Sequence, residues 1–440
     1  MARRFLDKKT HRFFFETAAG KRESYVLTFG DEVNTRTGAA PSGGDFSRVE
    51  YRGRIGEWKE PVLSRHRSLE MYFLDVGQGD AAFVVTPNDT KLLVDGGLKD
   101  RALGFLIWKY RLDVPGNQVT IDHLFLSHAD KDHVDGLIPL LQHPAITVRH
   151  IHHNGIGLFN PGAFNTSIGN RSADGLLTTI HDGLADLDGL DLASSSSAVF
   201  GDWIQAVAES GATYQRLDAS AGVFDIGDAE VRVEILGPIL EPDGNSLVWL
   251  KDKSHTINGH SLCFRLTHGE VRTFFSGDLN ESGGDRLVSF PNAELGLNAH
   301  VFKAPHHGSH EYSRQLFKAV RPIITVVSSG ETPDHGHPRA NFLGTIGEIS
   351  RGNEPLLFST EIAALFIDDK DPDSDDGGVV TTLGDLDFAQ SSANTEARLR
   401  FKKVLPGIIN VRSDGTSIYA FRRVQQAYQW ESYGPIEPSL

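Results

Sequence analysis

The stretch LFLSHADKDHVDGL, residues 124–137, is an apolar run that ends abruptly in two histidines and three aspartates. Read as a strand ending at Ser127 and followed by a helix that opens near Val134, it puts His128, Asp130, Asp132 and His133 on the loop between them. Several side chains on such a loop can turn toward one point. Imidazole nitrogen and carboxylate oxygen suit first-row divalent cations, and two neighbouring ions share the cost of crowding these groups. The competing reading is a solvated polar loop.

Later segments weigh against that bland reading because they repeat the pattern. FFSGDLN (274–280) ends an apolar run at Asp278, and HVFKAPHHGSH (300–310) ends another at His306 and His307. SHTINGHSLCF (254–264) sets His255 and His260 just ahead of a strand. Three strand ends therefore present ligands, enough for two metals bridged by an aspartate.

Around these motifs the composition is that of a globular protein, with 440 residues, 39% hydrophobic and 23% charged. No apolar run reaches the roughly 18 residues a membrane span needs, and the basic, aromatic N-terminus does not read as a signal peptide. The single cysteine, Cys263, forms no internal disulfide and reads as a buried core residue, which fits the cytoplasm. A formal charge of −15 excludes a surface that tracks phosphate backbone throughout, while leaving room for a local basic groove.

Residues 1–67 alternate short apolar runs with turn-rich stretches and read as an N-terminal β-rich extension. MYFLDV, AAFVVT and KLLVDGG then read as strands, RALGFLIWKYRL as a helix, and strands and helices alternate to about residue 355. The Gly, Asp and Ser-rich stretch at about 156–226 reads as an insertion or lid. Residues 356–440 open with the acidic DDKDPDSDDGG and finish in β-like segments packed on the catalytic domain.

In order, FLDVGQGDAAFVV, LLVDGG, LSHADKDHVDG, NGHSLCFRL, FFSGDLN, FKAPHHGS and HGHP resemble the metallo-β-lactamase-fold domain of the ComEC competence family and its soluble relatives. The resemblance covers about residues 68–350 and lacks the channel portion. It implies an α/β (α+β) fold, an αββα sandwich with metals at one edge, and phosphodiester hydrolysis. The superfamily loop usually reads His-x-His-x-Asp-His; Asp130 replaces its middle histidine, as is common in ComEC-like domains.

Carried onto this chain, the resemblance gives His128 to a first metal and Asp132 and His133 to a second, with Asp130 a further candidate ligand. Asp278 bridges, and His306 or His307 completes the second site. His260 is preferred to His255 as the remaining histidine of the first. Asp95 orients ligands. Asp80 lines the same edge, although Gly77 and Gly79 also suit a tight turn. Lys303, Ser309 and His337 are candidates for contact with substrate phosphate, with His335 beside them and a solvated strand position as the rival for Lys303. His150, His152 and His153 read as a strand terminus near the cleft rim.

The cofactors expected are two divalent ions, zinc or manganese, with magnesium a third candidate. Asp132, Asp278 and His260 are the expected catalytic residues. The expected activity is that of a phosphodiesterase or nuclease on nucleic acid. Hydrolysis of a small phosphodiester, amide or thioester is the first alternative. A metal-binding regulatory subunit, meeting a protein partner through its N- or C-terminal extension, is the second.

Overall fold

The computed structural model describes residues 2–59, 62–290, 296–330, 336–352, 355–360, 407–424 and 429–438. His335 and the acidic stretch 368–378 lie outside them. Strands β1 (Ala2–Leu6), β2 (Thr10–Glu16), β3 (Arg22–Thr28), β4 (Glu32–Ala39), β5 (Phe46–Tyr51), β6 (Arg54–Lys59) and β7 (Leu63–Ser64) form one antiparallel sheet in the order β3-β2-β6-β5-β4-β1-β7. Alternation along β2 turns Phe13 and Phe15 inward onto Leu27, Val49 and Trp58, which gives this sheet a core of its own.

Two further sheets face each other. The first contains β8 (Leu69–Phe73), β9 (Ala82–Val85), β10 (Lys91–Val94), β11 (Val119–Phe125) and β12 (Ile146–His153), with helices α1 (Arg101–Tyr110), α2 (Lys131–Val134) and α3 (Leu137–Leu141) between its strands. Next come α4 (Phe200–Ser210) and β13 (Thr213–Arg216). The second sheet takes β14 (Val223–Phe224), β15 (Val231–Gly237), β16 (Cys263–His268), β17 (Val271–Phe275), β18 (Val301–Lys303), β19 (Ile324–Val327) and β20 (Leu356–Ser359) in sequential order. Its helices are α5 (Lys253–Gly259), α6 (Glu281–Ser289), α7 (Arg314–Val320) and α8 (Ala340–Ile349).

Alternation decides the layers. Leu92 and Phe125 of the first sheet meet Phe264, Phe275 and Val326 of the second across the sandwich core. Their neighbours Leu93 and Leu124 face outward onto α1, α3 and α4. Phe274 and Phe302 likewise face outward onto α6, α7 and α8. Helices therefore cover both outer faces, an αββα arrangement.

The chain differs from its sequence reading at two boundaries. Residues 156–226 do not sit apart: Phe200, Trp203 and Val207 of α4 are buried in the core shared with α1 and α3, and β13 pairs in parallel with β12. At the other end β20 still belongs to the second sheet, while β21 (Ile409–Ser413), β22 (Ile418–Val424) and β23 (Gln429–Ile436) extend the first, β21 pairing antiparallel with β8. The first sheet thus runs β13-β12-β11-β10-β9-β8-β21-β22-β23. Among the described residues no helix is long and apolar enough to cross a membrane.

Candidate metal centre

Parallel pairing brings the candidate ligands together. β10 and β11 run parallel, as do β17 and β18, so the loops after these strands leave the same edge of the sandwich. Asp95 follows β10, His128 follows β11, Asp278 follows β17, and His306 and His307 follow β18. Asp95, His306 and His307 all take left-handed backbone conformations, with φ of 56°, 46° and 53°. Such conformations are costly for non-glycine residues and cluster at functional sites. Gly79 lets the first motif close on this loop, since a Cβ there would clash with the Asp132 carbonyl oxygen.

Each key imidazole is tied back through one nitrogen and presents the other. His133 Nδ1 lies 2.9 Å from Asp95 Oδ2, and that carboxylate also accepts the Ser127 N–H and hydroxyl at 2.7 Å each. His307 Nδ1 lies 2.9 Å from the Ser328 carbonyl oxygen. The Nε2 atoms then converge on Asp278 Oδ2, at 3.3 Å from His133 and 3.2 Å from His307, with Asp132 Oδ2 3.3 Å from His307. His128 Nδ1 meets Ser127 Oγ at 2.9 Å, and its Nε2 stands 3.8 Å from Asp130 Oδ2.

Electrostatics report how many charges are confined here. Burial pushes the Asp278 carboxyl up, but the imidazolium charges of His307 and His133 outweigh that and hold it well below the usual carboxylate range. Burial pulls His133 and His307 down, but their carboxylate partners, Asp278 foremost, raise both well above an ordinary histidine. His128, desolvated and beside His133, falls to about 3, while burial and repulsion from Asp132 raise Asp130 to about 7.

The donor set fits divalent cations. His128 Nε2, His133 Nε2, His307 Nε2 and Asp278 Oδ1 are buried and make no hydrogen bond among the described residues. Buried polar atoms are rarely left in that condition. His128, His133 and Asp278 form one metal-capable group, and Asp132, His133 and His307 another beside it.

Other sequence candidates fall differently. His260 is turned away: its Nε2 lies 2.8 Å from the Val248 carbonyl oxygen, and it joins none of the metal-capable groups. The NGHS element reaches the site through Ser261 instead, whose hydroxyl accepts the Asp278 N–H at 3.0 Å. Sequence reasoning missed this, because a serine carries no ligand signal. His255 is engaged by Asp252 at 2.8 Å and Glu311 at 3.0 Å, also outside the metal-capable groups.

Lys303 is buried rather than solvated, paired with Asp80 and 3.8 Å from Asp278 Oδ1. Asp80 thus does line the edge, and its Oδ1 stands 3.5 Å from His307 Nδ1. Ser309 shapes the turn, its N–H donating to the His306 carbonyl oxygen at 2.8 Å. His306 and His337 stand beside the centre, with ring centroids 6.2 Å each from His307 and 6.0 Å from one another. The strand histidines lie elsewhere: His152 stacks on His123 at 5.4 Å and His153 on Tyr214 at 3.9 Å.

A family model described as the Metallo-beta-lactamase superfamily matches residues 74–194, the part that holds Asp80, Asp95 and the His128–His133 loop. Residues 74–194 therefore carry a metallo-beta-lactamase-superfamily domain. Over 299 residues it is 24% identical to ComE operon protein 3 of Bacillus subtilis (strain 168), covering 64% of this chain and 31% of that protein. This makes the superfamily domain ComEC-like, while the chain spans about a third of that relative's length. Among solved structures it is similar to MEM-A1, a subclass B3 metallo-beta-lactamase from a soil metagenome library, at 15% identity over 64% of this chain and 85% of that one, with TM-score 0.28. It is similar also to a mutant of CmlA beta-hydroxylase, at 11% identity over 79% of this chain and 74% of that one, with TM-score 0.36.

Because His260 is committed to a backbone carbonyl, His260→Ala is expected to leave metal content unchanged by elemental analysis of the dialysed protein. It should also lower stability by about 2 kcal/mol through the cavity and the lost hydrogen bond. Loss of one metal equivalent would restore His260 to the ligand set.

Proposed function

We propose that this protein is a metal-dependent phosphodiesterase that acts on nucleic acid. The observation that carries the reading is the set of buried, hydrogen-bond-free Nε2 and Oδ1 atoms of His128, His133, His307 and Asp278. Asp132, His133, His307 and Asp278 would hold one divalent cation; His128, Asp278 and Asp130 would hold a second with fewer donors. Cations there would supply the acidity that turns water into a nucleophile at neutral pH and the charge that offsets the phosphoryl oxygens in flight.

The chain's own groups do the rest. Asp95 and the Ser328 carbonyl lock the imidazole orientations, so His133 and His307 need no rearrangement to bind. Asp132 reaches His307 from the loop and is placed to orient the attacking water. Lys303 supplies fixed positive charge behind Asp278.

Phosphodiester chemistry is supported by the ComEC-like sequence and by Asp130, a harder and more negative donor than the imidazole usual at that position. Activity of the chelated protein should therefore return more fully with manganese than with zinc. Strict zinc dependence in that reconstitution would contradict the role given to Asp130.

One observation favours a smaller substrate. Lys131 Nζ donates to the Ser196 carbonyl oxygen at 2.7 Å, tying the serine-rich segment to the metal loop. Metal-loaded protein assayed on single-stranded DNA, duplex DNA, RNA and bis-p-nitrophenyl phosphate separates the readings. Turnover of the small ester alone would favour a small phosphodiester. The lone cysteine, which needs no oxidising compartment, supports placing this activity in the cytoplasm.

A further inference from the structure

The two cation positions are unequally furnished. Asp132, His133, His307 and Asp278 serve one, whereas His128, Asp130 and Asp278 leave the other short of a full coordination shell. His255, His260 and His306 belong to none of the metal-capable groups, so no remaining histidine of this region makes up the difference. A neutral amide oxygen can do so, because carbonyl oxygen is a suitable ligand for hard divalent cations such as manganese and magnesium.

Asn258, at the C-terminal end of α5, stands among the loops that bring donors to the poorer position. Leu262 donates its N–H to the Ser127 carbonyl oxygen at 2.7 Å, next to His128. The Ser261 hydroxyl accepts the Asp278 N–H at 3.0 Å and donates to the Asn258 carbonyl oxygen at 2.8 Å. The Asn258 amide nitrogen lies 3.5 Å from His306 Nε2, on the loop after β18. At the other end of the same helix, the Lys253 ammonium attracts the Asp130 carboxylate.

Asn258 is 5% exposed, and its Oδ1 is buried without a hydrogen-bond partner among the described residues. No other buried side-chain oxygen or nitrogen of residues 252–262 is left in that condition. A buried amide oxygen with no donor is costly, so its need points to a partner that the chain itself does not supply. Holding the His306 ring accounts for the amide nitrogen of Asn258 and leaves the oxygen unused.

We propose that Asn258 Oδ1 is a ligand of the cation at the His128 position, completing a set of His128, Asp130, Asp278 and Asn258. The inference rests on the metal centre proposed above and adds to it a donor that is neither histidine nor carboxylate. Three oxygen-bearing ligands against one imidazole make this the harder of the two positions, suited to manganese or magnesium, while the position with two imidazoles also suits zinc.

The test counts manganese bound to the chelated full chain, with free ion followed by electron paramagnetic resonance. The wild type should bind two equivalents. Asn258→Leu should bind one, with an unchanged circular dichroism spectrum, and Asn258→Asp, which keeps an oxygen in place, should bind two. Asn258→Cys loaded with cobalt should show the ultraviolet charge-transfer absorption of a thiolate–cobalt bond, absent from the wild type, whose Cys263 is buried in the core. That absorption requires residue 258 to touch the metal, which a purely structural asparagine does not do. If Asn258→Leu does not fold, the cobalt spectrum of Asn258→Cys decides alone. Two equivalents in Asn258→Leu, one in Asn258→Asp, or a cobalt spectrum without the thiolate band would overturn the ligand and leave the metal centre standing. A wild type that binds one equivalent would also overturn it, and one that binds none would overturn the metal centre and Asn258 with it.

Discussion

Asp278→Ala is expected to reduce hydrolysis by at least about 10³-fold, beyond the 10–100-fold typical of residues that only support a ligand. Asp278 is 3% exposed and its carboxylate is the point on which His133, His307 and Lys303 converge. Without it the His128, His133 and Asp278 group loses its only carboxylate, and the neighbouring group loses the carboxylate that His133 and His307 both face at 3.3 and 3.2 Å. The fold should survive, because the positive charge left behind can be shed: both imidazoles owe their raised basicity first to Asp278 among the charges around them and can release protons in its absence. Asp278→Asn keeps the shape and should be nearly as inactive, with circular dichroism confirming an unchanged fold. Wild-type turnover by either variant would remove Asp278 from its central position.

Acidification should destabilise the protein strongly even away from the metal centre. His152 is held at about 3, chiefly by burial and then by His123. His181, His260 and His300 are held at about 4, each mainly by burial. All four are at most 4% exposed. Their folded-state values lie below the unfolded value near 6.5, so the unfolded chain takes up protons first as pH falls. Stability from these groups is complete above about 6.5 and is lost progressively toward their folded values. Glu32 and Asp130, each raised to about 7, act in the opposite direction and offset part of this loss. Urea unfolding should therefore show a net loss of roughly 3 kcal/mol between pH 7 and pH 5. A stability flat over that range would mean these histidines are not buried in neutral form.

The candidate ligands at strand ends are readable because metal chemistry needs particular residue types, and those types stand out after apolar runs. His128, Asp132, His133, Asp278 and His307 were all legible this way, and they converge in space. The choice of His307 over His306 was not legible, since it depends on which ring the Ser328 carbonyl holds. His260 misled because motif position cannot tell which way a ring turns, and Val248 lies 12 residues away on another segment. The covering role of α4 was hidden by flanking glycine and serine: residues 192–201 look like linker, yet Trp203 and Val207 just beyond are core. Nor did β21 to β23 show their place, because strand pairing between residues 69–73 and 409–413 leaves no local periodic trace.

The proposed role of the buried histidine and aspartate cluster as a metal-dependent phosphodiester-hydrolysing centre is tested by turnover of bis-p-nitrophenyl phosphate by the chelated protein, with and without manganese added back, alongside Asp278→Ala. The expected result is no turnover after chelation, recovery with manganese in the wild type, and none in the variant. Turnover that survives chelation, or that Asp278→Ala retains, would contradict it.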